Sequence, residues 1–350
     1  MSLLRQIGHA TGQGARIAYY TGQYALTRRL MPADPPGAQD TAGPETALPD
    51  RSALRRAILD LWRRDMANLR DGVYPLPPAL PGSPAEMWRV MRAYLNDLPD
   101  ATARRQRRGH SDVMQDAGMR RNMTRYPRYY LQNFHFQTDG WLSEKSARLY
   151  DHQVEVLFTG TADMMRRQAI PPLKAHLGGQ RRPRPRIADI GSGTGTFLRM
   201  LARSLPQARL TGVEPSPAYR RHAGAQAMRA RFIDGFAELL PLSDASQDAV
   251  TCVYLYHELP PKIRLRAAVE AARVLRPGGL LVVVDSLQLG DVAEFDGLLR
   301  RFPERFHEPY YGSYMSLDMD ALFGAAGLDL VSSDTAFLSK IFVYRKPKGL

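Results

Sequence analysis

The C-terminal half of the chain reads as α/β, a doubly wound (Rossmann-like) parallel sheet, and three observations predict it. The first is the stretch Ile187 to Phe197, I-A-D-I-G-S-G-T-G-T-F. Here a short apolar strand runs into glycines at 191, 193 and 195, and Leu198, Met200 and Leu201 then open a helical pattern. The second is the alternation of strand and helix patterns from that point to the end of the chain. The third is a Gly, Pro and Arg connector, residues 178–186, before which apolar residues recur mainly at helical spacing.

A strand that turns into a helix through glycines brings bare backbone and a helix N-terminus against a ligand, because no side chain intervenes. On its own such a turn implies only a nucleotide-like ligand. The spacing narrows the choice. A dinucleotide fingerprint places its third glycine five residues after the first, where this chain has Thr196. Here the third glycine is Gly195, and an acid, Asp189, lies two residues before Gly191.

A second strand, Leu210 to Val213, ends at Glu214, 23 residues after Gly191 and close to the offset at which an acid meets ribose hydroxyls. Pro215-Ser216-Pro217 starts the next helix. Residues 231–233 form a short third strand, followed by Asp234-Gly235-Phe236-Ala237-Glu238. Val250 to Tyr254 is the fourth strand, and Tyr256-His257-Glu258-Leu259-Pro260 forms the loop at its carboxyl edge, beside the ligand crevice of an open sheet. Leu280 to Asp285 is the fifth strand. A helix through Phe295 and Phe302, an aromatic insertion from Phe306 to Tyr314, a helix ending at Gly327 and two closing strands (328–331 and 337–344) complete the half.

The form Asp189-x-Gly191-x-Gly193-x-Gly195 resembles the first motif of class I S-adenosylmethionine (SAM)-dependent methyltransferases. The resemblance continues in order: the turn Leu240–Val250 is similar to one common in the branch that includes quinone and other small-molecule methyltransferases, and Val274-Leu-Arg-Pro-Gly-Gly279 is similar to the turn before the fifth strand. The resemblance implies a seven-stranded methyltransferase sheet with an antiparallel final hairpin, preceded by an N-terminal all-α cap domain. It also implies SAM as cofactor, approached by Gly191, Ser192, Gly193 and Gly195, with Asp189 orienting the amino group, Glu214 and Pro215 at the ribose, and Asp234, Gly235, Phe236 and Tyr254 completing the site. Where that branch usually carries an Asp to read the adenine amino group, this chain has Phe236: either Asp234 takes the role, or stacking and backbone groups hold the base.

His257 is the general-base candidate, since an imidazole titrates near neutrality, and Glu258 is placed to orient it or to bind a substrate hydroxyl. His307, Tyr310 and Tyr311 are candidates for one wall of the acceptor site; Tyr129, Tyr130 and His135 are candidates for its lid. No metal site is expected: the single cysteine, Cys252, excludes a multi-cysteine centre and an internal disulfide framework. It also argues against arsenite methylation, and against cytosine C5 methylation, because Cys252 lies mid-strand. Adenine amino-methylation usually uses an N/D-P-P-Y/F/W motif where this chain has Tyr-Leu-Tyr-His. O-, N- or C-methylation of a small hydrophobic or aromatic, even lipid-like, acceptor is what remains.

The chain divides into a basic arm and linker (1–50), a helical cap (51–180) and the SAM-binding part (187–350). The 350 residues carry a net charge of +13. Residues 187–350 hold 19 Lys+Arg against 18 Asp+Glu, so the excess lies in residues 1–186, with 29 against 17. That asymmetry implies an anionic partner for the N-terminal half or simply a solvated surface. Residues 1–30 contain no acid and mix arginines, tyrosines and apolar residues, which suits a helix on an anionic membrane surface or an arm packed on the body. Residues 31–50 read as a linker and 51–70 as an amphipathic helix; Ser83-Pro84-Ala85-Glu86 is a capping box whose helix is expected to stop at Pro99, and Ser143 caps the next. Eight arginines between 104 and 128, with aromatics close behind, suit a flat anionic substrate or single-stranded nucleic acid.

No apolar run reaches the ~20 residues of a bilayer span, and no signal-peptide core is evident, so the expected compartment is the cytoplasm, with peripheral attachment at the inner face of the membrane as an extension. A small-molecule methyltransferase is the leading reading. An RNA methyltransferase using the basic half, and a SAM-binding protein without turnover, are the alternatives.

Overall fold

The computed structural model of the chain describes residues 3–31, 47–78, 80, 82–107, 112–115, 125–179, 183–227 and 229–348. Most of the expected linker, and Arg108, Arg120 and Arg121 of the arginine-rich stretch, lie outside these residues.

In the C-terminal half the strands are β1 (Arg186–Ile190), β2 (Arg209–Val213), β3 (Ala230–Ile233), β4 (Gln247–Val253), β5 (Leu275–Ser286), β6 (Asp329–Ala336) and β7 (Ser339–Arg345). They form one sheet in the order β3-β2-β1-β4-β5-β7-β6. β1 to β5 are parallel and β7 runs antiparallel between β5 and β6. The switch in strand order falls between β1 and β4, where open α/β sheets bind their ligands beyond the strand ends. The central strands are buried on both faces, as their near-continuous apolar sequence requires.

In the N-terminal half the α-helices of more than four residues are α1 (Leu3–Leu30), α2 (Arg51–Arg70), α3 (Pro84–Gln106), α4 (Glu144–Leu157), α5 (Ala162–Arg167) and α6 (Ile170–Gly178). The connector at 178–186 separates two stretches of sequence without separating two cores. Leu61, Leu69, Met165, Ile170 and Leu173 share one apolar cluster with Ile187, Leu280 and Val282 of the sheet. A parallel sheet needs both faces covered, and the N-terminal helices supply part of one layer. The other face packs on α9 (Pro261–Val274), between α8 (Pro217–Gln226) and α10 (Asp296–Phe306) in chain order. The helix after β1 is α7 (Thr196–Ser204).

α3 does not stop at Pro99. The capping box forms as expected, but the helix runs through the proline to Gln106. The missing hydrogen bond is outweighed by anchors on both sides: Asp97 meets Lys145 at 2.6 Å, and Arg104 donates to the Phe136 carbonyl at 2.9 Å. Tertiary packing overrides the local stop signal.

α1 lies along the body. Its inward residues, His9, Gln13, Arg16, Tyr20, Gln23 and Thr27, fall at alternating four- and three-residue steps and are buried. This face is polar rather than apolar. Arg16 pairs with Glu155 and Asp163, each at 2.7 Å, and Gln23 meets His152 at 2.7 Å. Gly160, at φ +84°, permits the approach: a Cβ there would lie 3.1 Å from the Arg16 carbonyl oxygen. Among the described residues no helix is long and apolar enough to cross a membrane.

Candidate active site

The glycine turn after β1 has all three glycines in the left-handed region, at φ +68°, +52° and +75° for Gly191, Gly193 and Gly195. A side chain at any of them would strain the backbone. Gly193 alone of the three has open space where a Cβ would stand, so its bare face borders the cavity in front of the turn. Its N–H donates to Glu214 Oε2 at 3.1 Å, and the Ser216 N–H donates to Oε1 at 2.9 Å. Asp189 accepts from the Thr251 hydroxyl at 2.7 Å. Burial pushes both the Asp189 and the Glu214 carboxyls up to about 7, against those hydrogen bonds.

The cap closes the opposite side. Asp151 of α4 accepts from the hydroxyls of Thr194 and Thr196 at 2.9 and 2.8 Å, docking the helix on the glycine turn. Trp141, Tyr150 and Tyr219 meet edge to face, with ring centroids 5.2 to 6.0 Å apart, and all three line this first cavity. Tyr130 donates to Glu214 Oε1 at 3.2 Å and Tyr129 to Glu238 at 2.6 Å. Arg166 of α5 reaches the same wall, with Nη1 3.0 Å from Asp163.

A second cavity, about 210 Å³ against about 110 Å³ for the first, lies between the cap helices and α10. Its walls are largely apolar, with Leu98, Val154, Leu299, Phe302 and Phe306 among them. Tyr150, Tyr254 and Glu258 line both cavities, so the two meet at these side chains.

Charge is concentrated at this junction. His257 Nδ1 lies 2.5 Å from Asp285 Oδ1, and its Nε2 lies 3.9 Å from Glu258 Oε1. His135 stands between two carboxylates, with Nδ1 3.0 Å from Glu308 and Nε2 3.6 Å from Glu258. Burial disfavours the imidazolium at both histidines, but the facing carboxylates prevail and raise His257 to about 9 and His135 to about 10. Burial raises the Glu258 carboxyl above its ordinary range, opposed by His135 and His257.

Residues 187–279 match the profile of the methyltransferase domain family. The C-terminal half is a class I SAM-dependent methyltransferase domain. Among curated proteins the chain is similar to the demethylmenaquinone methyltransferase of Deinococcus radiodurans, 36% identical over 140 residues, covering 39% of this chain and 55% of that protein. The corresponding enzyme of Thermotoga maritima is 30% identical over 136 residues, covering 39% and 58%. The chain thus spans little more than half the length of these relatives. A solved SAM-dependent methyltransferase from Thermotoga maritima, described as a possible histamine N-methyltransferase, aligns at a TM-score of 0.43 with 21% identity, covering 58% of this chain and 97% of that one.

The residues of the methyltransferase domain fit SAM by their chemistry. A buried pair of carboxylates raised to about 7 calls for hydroxyl and ammonium donors, and the Ser192 hydroxyl is buried with no hydrogen-bond partner. Arg166, on the same cavity wall, suits a carboxylate such as that of the methionine part.

Of the residues picked out from the sequence for the cofactor, Asp189, Gly191, Ser192, Gly193, Glu214, Pro215, Gly235, Phe236 and Tyr254 line the first cavity. Gly195 sits behind them as the N-cap of α7. Asp234 does not reach the cavity: it is exposed and paired with Arg125 and Arg220. Phe236 does, meeting Tyr126 and Tyr130 edge-on.

The residues picked out for the acceptor are divided. His135 and Tyr311 line the second cavity, whereas Tyr129 and Tyr130 line the first. His307 and Tyr310 line neither; both bond to the side chain of Gln132. His257 lines the second cavity, held by Asp285, and the facing carboxylates raise its pKa to about 9, which favours its protonated form. Trp141 belongs to the aromatic run behind the arginines, whereas Arg166 and Asp151 were not legible in the sequence, because each sits in an ordinary cap segment and only tertiary packing brings it to the glycine turn.

Proposed function

We propose that the chain transfers a methyl group from SAM to a hydroxyl oxygen or a C–H ring carbon of an aromatic, hydroquinone-like acceptor, whose proton is lost as S-adenosylhomocysteine forms. The observation that carries this reading is the meeting of the two cavities at Tyr150, Tyr254 and Glu258. When bound, SAM supplies an electrophilic methyl group. The glycine turn and Glu214 fix the donor, and the second cavity shields the acceptor from water, so that the reacting atoms are held close. Glu258 takes the acceptor proton, and burial, by raising its proton affinity above that of an ordinary carboxylate, makes it a stronger base. His257 is its positioning partner, a fixed imidazolium oriented by Asp285.

The size and apolar walls of the second cavity support a small aromatic acceptor, as does the likeness to demethylmenaquinone methyltransferases. The nucleic-acid reading loses support because Arg104 of the basic stretch is buried on Phe136 and Thr138, while Arg107 and Arg125 pair at the surface with Asp112 and Asp234. A membrane-borne acceptor is favoured by one feature. Leu26 and Leu30 are exposed at the C-terminal end of α1, beside Arg28 and Arg29, and the same helix end walls the second cavity through Tyr24, Thr27 and Met31.

The test is a screen of phenols and hydroquinones with a labelled methyl donor. Transfer to an aromatic acceptor, lost in Glu258→Gln while S-adenosylhomocysteine still binds, is the expected result. Transfer to RNA alone, or undiminished transfer by the variant, would overturn the reading.

A further inference from the structure

Each part of SAM needs its own partner in the first cavity. With the ribose at Glu214 and the carboxylate of the methionine part at Arg166, the base is left to the wall made by Phe236, Ala237, Leu259 and Tyr129. Phe236 meets Tyr126 and Tyr130 edge-on, with ring centroids 6.3 and 6.0 Å apart, and it offers a ring but no hydrogen-bond acceptor. Asp234, two residues earlier, is exposed and turned to Arg125 and Arg220. The hydroxyl of Tyr130 is given to Glu214. Adenine carries one strong donor, its 6-amino group, and Tyr129 is the polar side chain left on this part of the wall.

The hydroxyl of Tyr129 is committed in one direction. It donates to Glu238 Oε1 at 2.6 Å. Glu238 Oε2 is buried with no hydrogen-bond partner, so the carboxylate depends on this bond. Burial first, and then the bond to Glu238, hold the phenol proton in place far above its ordinary range. What Tyr129 keeps for a ligand is the lone pairs of its oxygen. A hydroxyl that donates to a carboxylate is polarised and accepts more strongly. The pair therefore presents the cavity with an acceptor and no donor.

We propose that Tyr129, positioned by Glu238, reads the 6-amino group of the donor's adenine, accepting one of its N–H bonds on the phenol oxygen. The inference concerns the donor alone and is independent of which acceptor is methylated. It assigns base selectivity to a cap residue, more than a hundred residues from the loop after β3 that carries Phe236.

The test is a set of calorimetric titrations into the full chain with three ligands. They are S-adenosylhomocysteine, its analogue with an unsubstituted purine carbon 6, and S-inosylhomocysteine, which has an oxygen there. S-adenosylhomocysteine is expected to bind about tenfold tighter than the unsubstituted analogue, the worth of one hydrogen bond in a desolvated site. The 6-oxo ligand is expected to bind more weakly still, because its oxygen meets the phenol oxygen. In Tyr129→Phe the affinity for S-adenosylhomocysteine falls to that of the unsubstituted analogue, whose own affinity is unchanged. Glu238→Leu frees the phenol hydrogen to donate, so S-inosylhomocysteine gains relative to S-adenosylhomocysteine.

Tyr129→Phe leaves Glu238 without its donor. If that variant does not fold, Tyr129→Phe/Glu238→Leu, which removes both polar partners together, takes its place. Equal affinities of the intact chain for S-adenosylhomocysteine and the unsubstituted analogue overturn the proposal. So does an equal loss of both ligands in Tyr129→Phe, which would give Tyr129 a structural role only. A preference that survives Tyr129→Phe and falls in Asp234→Asn overturns it in favour of Asp234. Failure of all three ligands to bind the intact chain would overturn the cofactor assignment itself, and is distinguishable from a loss of preference alone.

Discussion

The two cavities are built differently. The first has one side of backbone, with glycines of positive φ, N–H groups aimed at Glu214 and strand ends of a parallel sheet, closed by aromatic side chains of the cap. The second is lined mostly by residues of α1, α3, α4 and α10, elements far apart in sequence. A backbone cradle fits a part common to many reactions, whereas side-chain walls can change with the acceptor without disturbing the donor. On the proposed reading, donor recognition and acceptor choice are separable, and substitutions should separate them.

The largest effect is expected where the cavities meet. Glu258→Gln should lower turnover by roughly 10²- to 10⁴-fold, the usual range for removing an acid–base group, with S-adenosylhomocysteine affinity unchanged in a calorimetric titration. His257→Gln should lower turnover less, because the imidazolium acts through Glu258; equal losses in the two variants would assign both the same role.

Arg16→Met comes next and tests the cap rather than the chemistry. It leaves Glu155 and Asp163 buried without their common cation, and breaking such a pair costs about 3–5 kcal/mol, to be read from urea unfolding. A loss under about 1 kcal/mol would show that α1 is not held by this contact.

Arg166→Met should weaken S-adenosylhomocysteine by roughly 10- to 100-fold, the loss of a hydrogen-bonded charge, and leave adenosine, which has no carboxylate, unaffected. Parallel losses for both ligands would assign Arg166 to the fold.

pH should act on the first cavity more gently. Asp189 and Glu214 are raised to about 7 in the free protein, and a donor with hydroxyls and an ammonium group prefers them ionised. Binding therefore lowers their pKa values, so affinity strengthens as pH rises through 7 and weakens towards 6, by up to tenfold per unit for each linked proton. Glu214→Gln should flatten this dependence.

The difference between the cavities also explains what could be read from the sequence. The cradle was legible because its residues are local: the order Asp189, Gly191, Gly193, Gly195 and the offset to Glu214 are set by one strand–turn–helix unit. Phe236 marks a limit of such reading. The aromatic box it forms with Tyr126 and Tyr130 depends on a cap segment more than a hundred residues away. Tyr129 and Tyr130 are expected at the acceptor because aromatics after a basic run suggest a substrate wall, and the structure places them on the wall of the first cavity, beside the glycine turn. The path through Pro99 and the polar inner face of α1 were hidden for the same reason: a proline stop and a membrane-like composition are local signals, and long-range partners outweigh both.

The measurement that bears most directly on the central claim is a calorimetric titration of S-adenosylhomocysteine into the intact chain and into Glu214→Ala. One molecule bound per chain, weakened at least about tenfold by the substitution, is the predicted result. No binding to the intact chain, or binding indifferent to the loss of that carboxylate, would contradict the account.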